Sequence, residues 1–143
     1  MRMSSIFTLL CNIGGIIVMC IIITSCAGQQ RLTNLDESMS YYGDLIRWGR
    51  YEDAIRYTSL KDADVAKNKI QSLAKFRVTS YNEKKRELSK DQNTAYQEVE
   101  IGYYDENYAV ERLFVDKQKW AYDQTSRRWI LETGMPGLGI KNK

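Results

Sequence analysis

The sequence predicts an α+β domain, helices first and an antiparallel sheet after them, carried behind a removable apolar leader. Three observations predict it. Apolar residues recur at helical spacing from Tyr41 to Leu73. The period changes to strand-like alternation from Phe76 onward. The first 25 residues carry one charge, Arg2, and a nearly unbroken apolar run from Ile6 to Ile23. Helices followed by a run of strands belong on one face of an antiparallel sheet.

The leader comes first. Arg2 supplies a basic start, Ser4 and Ser5 follow, and the apolar run ends in Ile23-Thr24-Ser25-Cys26. This order is the layout of a secretory signal. Its last four residues resemble the bacterial lipobox: an aliphatic residue, two small residues, then cysteine. The resemblance covers the first 26 residues. It implies a diacylglyceryl group on the Cys26 thiol, cleavage between Ser25 and Cys26, and acylation, palmitate included, of the new amine. Two or more chains anchor a protein stably where one does not. An aspartate after the cysteine favours inner-membrane retention in such lipoproteins; Ala27 stands there instead. The resemblance therefore implies the outer membrane, facing the periplasm, ahead of the inner membrane. The competing reading is an uncleaved span. Ile6 to Ile23 is 18 residues, at the short limit for crossing a bilayer. It is interrupted by Asn12 and Gly14-Gly15, and no basic cluster follows it.

Residues 26–33 read as a short polar tether and 34–136 as the globular domain. Asn34 is the expected N-cap of a first helix, with Asp36 and Glu37 in its first turn, where negative charge suits the helix dipole. Tyr41, Leu45, Trp48 and Ile55 share its apolar face, and Gly49 ends or bends it. Tyr51 to Ile55 resumes as a short second helix. After a loop from Ser59, Asp64 caps a third helix through Lys75, with Val65, Ile70 and Leu73 apolar.

Phe76 to Tyr81 opens the sheet, and Asn82 to Leu88 continues it as a charged edge that discourages aggregation. Ser89 to Asn93 turns the chain. From Thr94 to Tyr104, Ala95, Val99, Ile101 and Tyr103 face one way and Tyr96, Glu98, Glu100 and Tyr104 the other. Asp105-Glu106-Asn107 is a turn. Tyr108 to Val115 returns, and Gln118 to Tyr122 extends the sheet. Asp123 to Ser126 turns, and Arg128 to Glu132 closes it with Trp129 and Leu131. Trp48, Trp120 and Trp129 are expected in the core. The Gly-rich stretch from Gly134 is expected to be loose, with 137–143 as a flexible tail. Two to three helices on a curved four-stranded meander, with Trp120-x-Tyr122-Asp123 before Trp129-x-Leu131, resemble the cystatin-like or nuclear-transport-factor-like cone folds. That resemblance spans about Asn34 to Pro136 and rests on order and spacing.

Composition narrows the function. After Ser25, 118 of the 143 residues remain, enough for one modest core. Their small positive surplus, mixed along the chain, does not predict nucleic-acid binding. The three cysteines are Cys11, Cys20 and Cys26, so the mature chain keeps one thiol and no intramolecular disulfide. No histidine is present, which removes the commonest general base and metal ligand. The acid pairs Asp62/Asp64 and Asp105-Glu106 fall in expected turns, and no acid stands among apolar neighbours. Neither an enzyme, a metal nor a cofactor is expected. All ten tyrosines and three tryptophans follow Cys26. Most suit sheet packing; Tyr96, Tyr104 and Tyr108 are the candidates for an exposed binding surface. The expectation is a lipid-anchored periplasmic module that binds a protein partner or serves envelope assembly. The alternative is a small-ligand binder with an aromatic-lined cavity.

Cys26→Ala is expected to abolish labelling by a radioactive fatty acid and leave the precursor uncut. Normal maturation of that variant would overturn the anchor.

Overall fold

The computed structural model describes residues 28–139, so the expected leader, the expected Ser25–Cys26 cleavage junction and residues 140–143 lie outside it. Helix α1 occupies residues 28–47. It already includes most of the expected tether, and Asn34 lies inside it rather than at its cap. Gln29, Gln30, Arg31 and Leu32 are sound helix formers with no breaker among them. The contacts divide the chain between Leu35 and Asp36, and the second unit holds the rest of α1 and every later element. No helix among the described residues is long and apolar enough to cross a membrane.

Gly49 ends α1 as expected. It adopts φ +69°; its N–H donates to the Ile46 carbonyl at 3.2 Å, and the Arg50 N–H donates to the Leu45 carbonyl at 2.8 Å. This paired closure satisfies two orphan carbonyls and needs a left-handed residue. Helix α2, Tyr51–Ala54, follows, with a 3-10 turn over Ile55–Tyr57. Helix α3 runs from Ala63 to Leu73. Its cap is Asp62, not Asp64: Asp62 Oδ1 accepts from the N–H groups of Asp64 at 2.9 Å and Val65 at 3.0 Å. Asp62 alone of the pair has the extended backbone a cap requires. Leu73 is buried, whereas Val65, in the first turn of the helix, is 51% exposed.

Strands β1 (Phe76–Leu88), β2 (Thr94–Asp105), β3 (Glu111–Asp123) and β4 (Arg128–Leu131) form one open antiparallel sheet in chain order. The fold is α+β, as the sequence predicts. β3 is one strand where two pieces are expected, and it starts after Tyr108 because Asp105, Asn107 and Ala109 are taken up by the turn. There Asp105 Oδ1 accepts from the Asn107 N–H at 2.9 Å, and Ala109 adopts φ +47°.

The buried face of the sheet carries Ala95, Val99, Ile101 and Tyr103 from β2, Trp120 from β3, and Trp129 and Leu131 from β4. Helix α1 covers it with Met39, Tyr42, Leu45 and Ile46. The Tyr42 ring meets Trp120 edge-on at 5.5 Å, and Tyr57 approaches both. Gly43 lets α1 settle on β1: a Cβ there would lie 2.7 Å from the Tyr81 ring.

Three expectations about the core fail. Tyr41, expected on the apolar face of α1 with Leu45, is 48% exposed, and its neighbour Tyr42 is the buried one. Trp48 is 73% exposed, because it lies one residue before the chain reversal at Gly49 and past the last helical residue. The segment after Gly134 is not loose where it is described. Met135, Pro136 and Leu138 are buried, and the Gly139 N–H donates to the Tyr103 hydroxyl at 3.3 Å. Three apolar side chains between glycines are enough to seat it.

In denaturant titrations, Trp129→Ala is expected to cost about 3–5 kcal/mol. Trp48→Ala should stay within about 0.5 kcal/mol. Equal losses would contradict the opposite burial of the two side chains.

Candidate functional site

Strand β3 inverts what its composition suggests. Leu113 and Val115 look like core residues, and Asp116 and Gln118 look solvated. The register with β2 sets Asp116 opposite Val99, Gln118 opposite Gln97 and Trp120 opposite Ala95, all on the buried face. Side chains alternate with period two, so Leu113 and Val115 point to the outer face, 67% and 51% exposed. Tyr108 and Val110 are also exposed, just ahead of the strand.

The same strand has an open edge. β4 pairs only with Trp120 to Asp123, and beyond it the Glu132 N–H and Thr133 hydroxyl engage the Lys119 backbone. Among the described residues, nothing hydrogen-bonds to the β3 backbone along 111–118 on the side away from β2. That is about 26 Å of unpaired strand. The other edge of the sheet is β1, where exposed Lys84, Lys85 and Glu87 guard the margin as expected. The β3 edge instead offers leucine and valine, flanked by exposed Arg112 and Lys117.

The expected aromatic surface does not form as one patch. Tyr96 and Tyr108 are exposed, and Tyr104 is half-buried. Tyr96 and Tyr104 share the outer face of β2, but eight residues separate them, about 26 Å along the strand. Tyr96 sits beside Lys119, its partner in the register. Tyr108 lies in the β2–β3 turn near the apolar end of β3. The turn acids are occupied structurally: Asp62 caps α3, Asp105 holds its turn, and Glu106 pairs with Arg77. Among the described residues no three potential ligands cluster for a metal.

One acid is embedded after all. Asp116 is 8% exposed. The Gln118 Nε2 donates to Asp116 Oδ2 at 2.7 Å and to the Tyr81 hydroxyl at 2.9 Å, while the Trp120 Nε1 donates to Gln118 Oε1 at 3.1 Å. Its sequence neighbours, Val115 and Lys117, hide this; its alternation with Phe114 and Trp120 is the signal that finds it. The next row is polar too. Gln97 donates to Glu83 Oε2 at 2.7 Å, and Glu83 also receives Arg86, which reaches Asp36 on α1. Gln97, Glu83 and Arg86 border a cavity of about 260 Å³ under α1, which Asp116 does not line. Gln97 Oε1 has no hydrogen-bond partner among the described residues.

Burial pushes the Asp116 carboxyl above its ordinary value, with the Gln118 amide and the Lys69 charge pulling it partway back. Burial likewise raises the hydroxyls of Tyr42 and Tyr81, which face it. No protein-family model, curated protein or solved structure matches this chain.

The folded state holds the Asp116 proton more tightly than the unfolded chain does. Its contribution to stability therefore falls as pH rises from the ordinary carboxylate range through the raised folded value, and returns below that range. Asp116→Asn is expected to raise Tm at pH 7, because it removes the charge that burial disfavours. It should also flatten the stability curve just above the ordinary carboxylate range. A calorimetric profile unchanged by the substitution would refute the assignment.

Proposed function

We propose that the chain is a lipid-anchored envelope protein whose domain receives an extended segment of another envelope protein along the open edge of β3. The observation that carries this reading is the unpaired stretch 111–118 with Leu113 and Val115 exposed on it. An added strand gains main-chain hydrogen bonds from the edge and specificity from alternate side chains. Leu113 and Val115 favour a segment with apolar side chains at alternate positions.

Anchoring rests on Ile23-Thr24-Ser25-Cys26, and Ala27 favours the outer membrane, facing the periplasm. The order of helices before an antiparallel meander supports a cystatin-like or nuclear-transport-factor-like arrangement of the domain. We read the module as non-catalytic. Its buried acid is held by Gln118 and set apart from the cavity under α1. A filled aromatic core beside an exposed apolar strand suits docking better than turnover.

A photoreactive amino acid at position 113 or 115 of the full-length protein is expected to capture one partner in intact cells. The same probe at 84 or 85, on the guarded edge, should capture none. Leu113→Lys should abolish capture from position 115 while changing stability by no more than about 0.5 kcal/mol. Adducts made solely of two copies of this chain, or adducts that survive Leu113→Lys, would sink the docking reading.

A further inference from the structure

A second surface of this domain combines aromatic faces with unbalanced positive charge. Between the end of α1 and the start of β1 lies a groove of about 520 Å³, within the usual range for small-ligand sites. Its walls carry Arg47, Trp48, Tyr51, Phe76, Arg77 and Tyr104. They come from four separate elements, so the groove exists only in the folded chain. The helix closure at Gly49 places Trp48 on its rim, 73% exposed. Its ring is therefore open to a ligand in the groove.

Two features define what fits. First, the aromatic faces are single. None of the four rings pairs with another of the four; Phe76 instead meets Tyr103 edge-on at 5.4 Å, outside the set. A flat aromatic ligand gains most between two parallel rings, whereas a pyranose presents one apolar C–H face and a rim of hydroxyls. Second, the charge is positive. Glu106 is the acid in the wall and is committed to Arg77. Arg47 lies 5.9 Å from the centroid of the Trp48 ring, and no carboxylate lies within ion-pair distance of it among the described residues. A guanidinium there is set to take a carboxylate in a two-pronged contact.

We propose that this groove binds an acidic saccharide, with a sugar ring against Trp48 and its carboxylate on Arg47. The site shares no residue with the β3 edge, so it is a second binding function that stands or falls independently of the docking reading.

The test uses the full lipidated chain in nanodiscs and isothermal titration calorimetry. The probes are a uronic-acid trisaccharide and its methyl ester, which keeps the ring faces and hydroxyls and removes the charge. The acid is expected to bind at one site per chain. The ester should bind at least tenfold more weakly. Trp48→Ala and Arg47→Gln should each weaken the acid at least tenfold without shifting Tm, and Leu113→Lys should leave it unchanged. Absence of saturable binding, equal binding of acid and ester, or indifference to Trp48→Ala would each overturn the proposal.

Discussion

The buried indole of Trp120 is the constraint on which the sheet depends. It is fully buried, its ring takes the edges of Tyr42 and Tyr57, and its Nε1 donates to Gln118. Large aromatic rings bury more area than any other side chain and add their own pair geometry. Once Trp120 faces α1, every second residue of β3 must follow it. Gln118 and Asp116 go inward, and Leu113 and Val115 go outward. A one-residue slip would satisfy those four residues individually, yet it would turn the indole to water and break the pairing with Ala95.

The polar residues drawn inward are accommodated rather than tolerated singly. Gln118 is the hinge of the arrangement: its amide nitrogen serves Asp116 and Tyr81, and its oxygen serves the indole. Buried polar groups cost little when their bonds are complete and much when they are not. The neighbouring row is less complete, since Gln97 keeps one unpartnered oxygen beside the cavity under α1. Helix α1 ties both rows down through Asp36 to Arg86 and through the Gly43–Tyr81 approach. The same phase that builds this interior leaves apolar side chains on the open strand. Core and exposed apolar edge are thus two sides of one alternation.

The helix-then-sheet order was legible from periodicity alone. So were the turn at Gly49, the cap region before α3, the charged edge of β1 and the inward set of β2. The cap at Asp62 instead of Asp64 is a local error, since both residues have the right chemistry and backbone geometry chooses between them. Trp48 is a different kind of error. Helical spacing put it with Tyr41 and Leu45, but the helix stops at 47 and the closure at Gly49 turns Trp48 outward. The candidate surface was legible only in pieces. Tyr104 lines the groove, Tyr108 lies near the apolar end of β3, and Tyr96 stands with neither. Nothing in local sequence says which distant rings meet.

By itself, the sequence determined the class of fold, the apolar run that ends shortly before Cys26, and the lack of histidine among its 143 residues. These depend on residue type, composition and short-range period. Tertiary structure decided the facing of β3, the burial of Asp116, the unpaired edge, and the gathering of Trp48, Tyr51, Phe76 and Tyr104 around one groove. Each of these depends on register or on contacts between elements far apart in the chain. Periodicity shows that a strand has two faces, and it takes a packed partner to say which of them is inside.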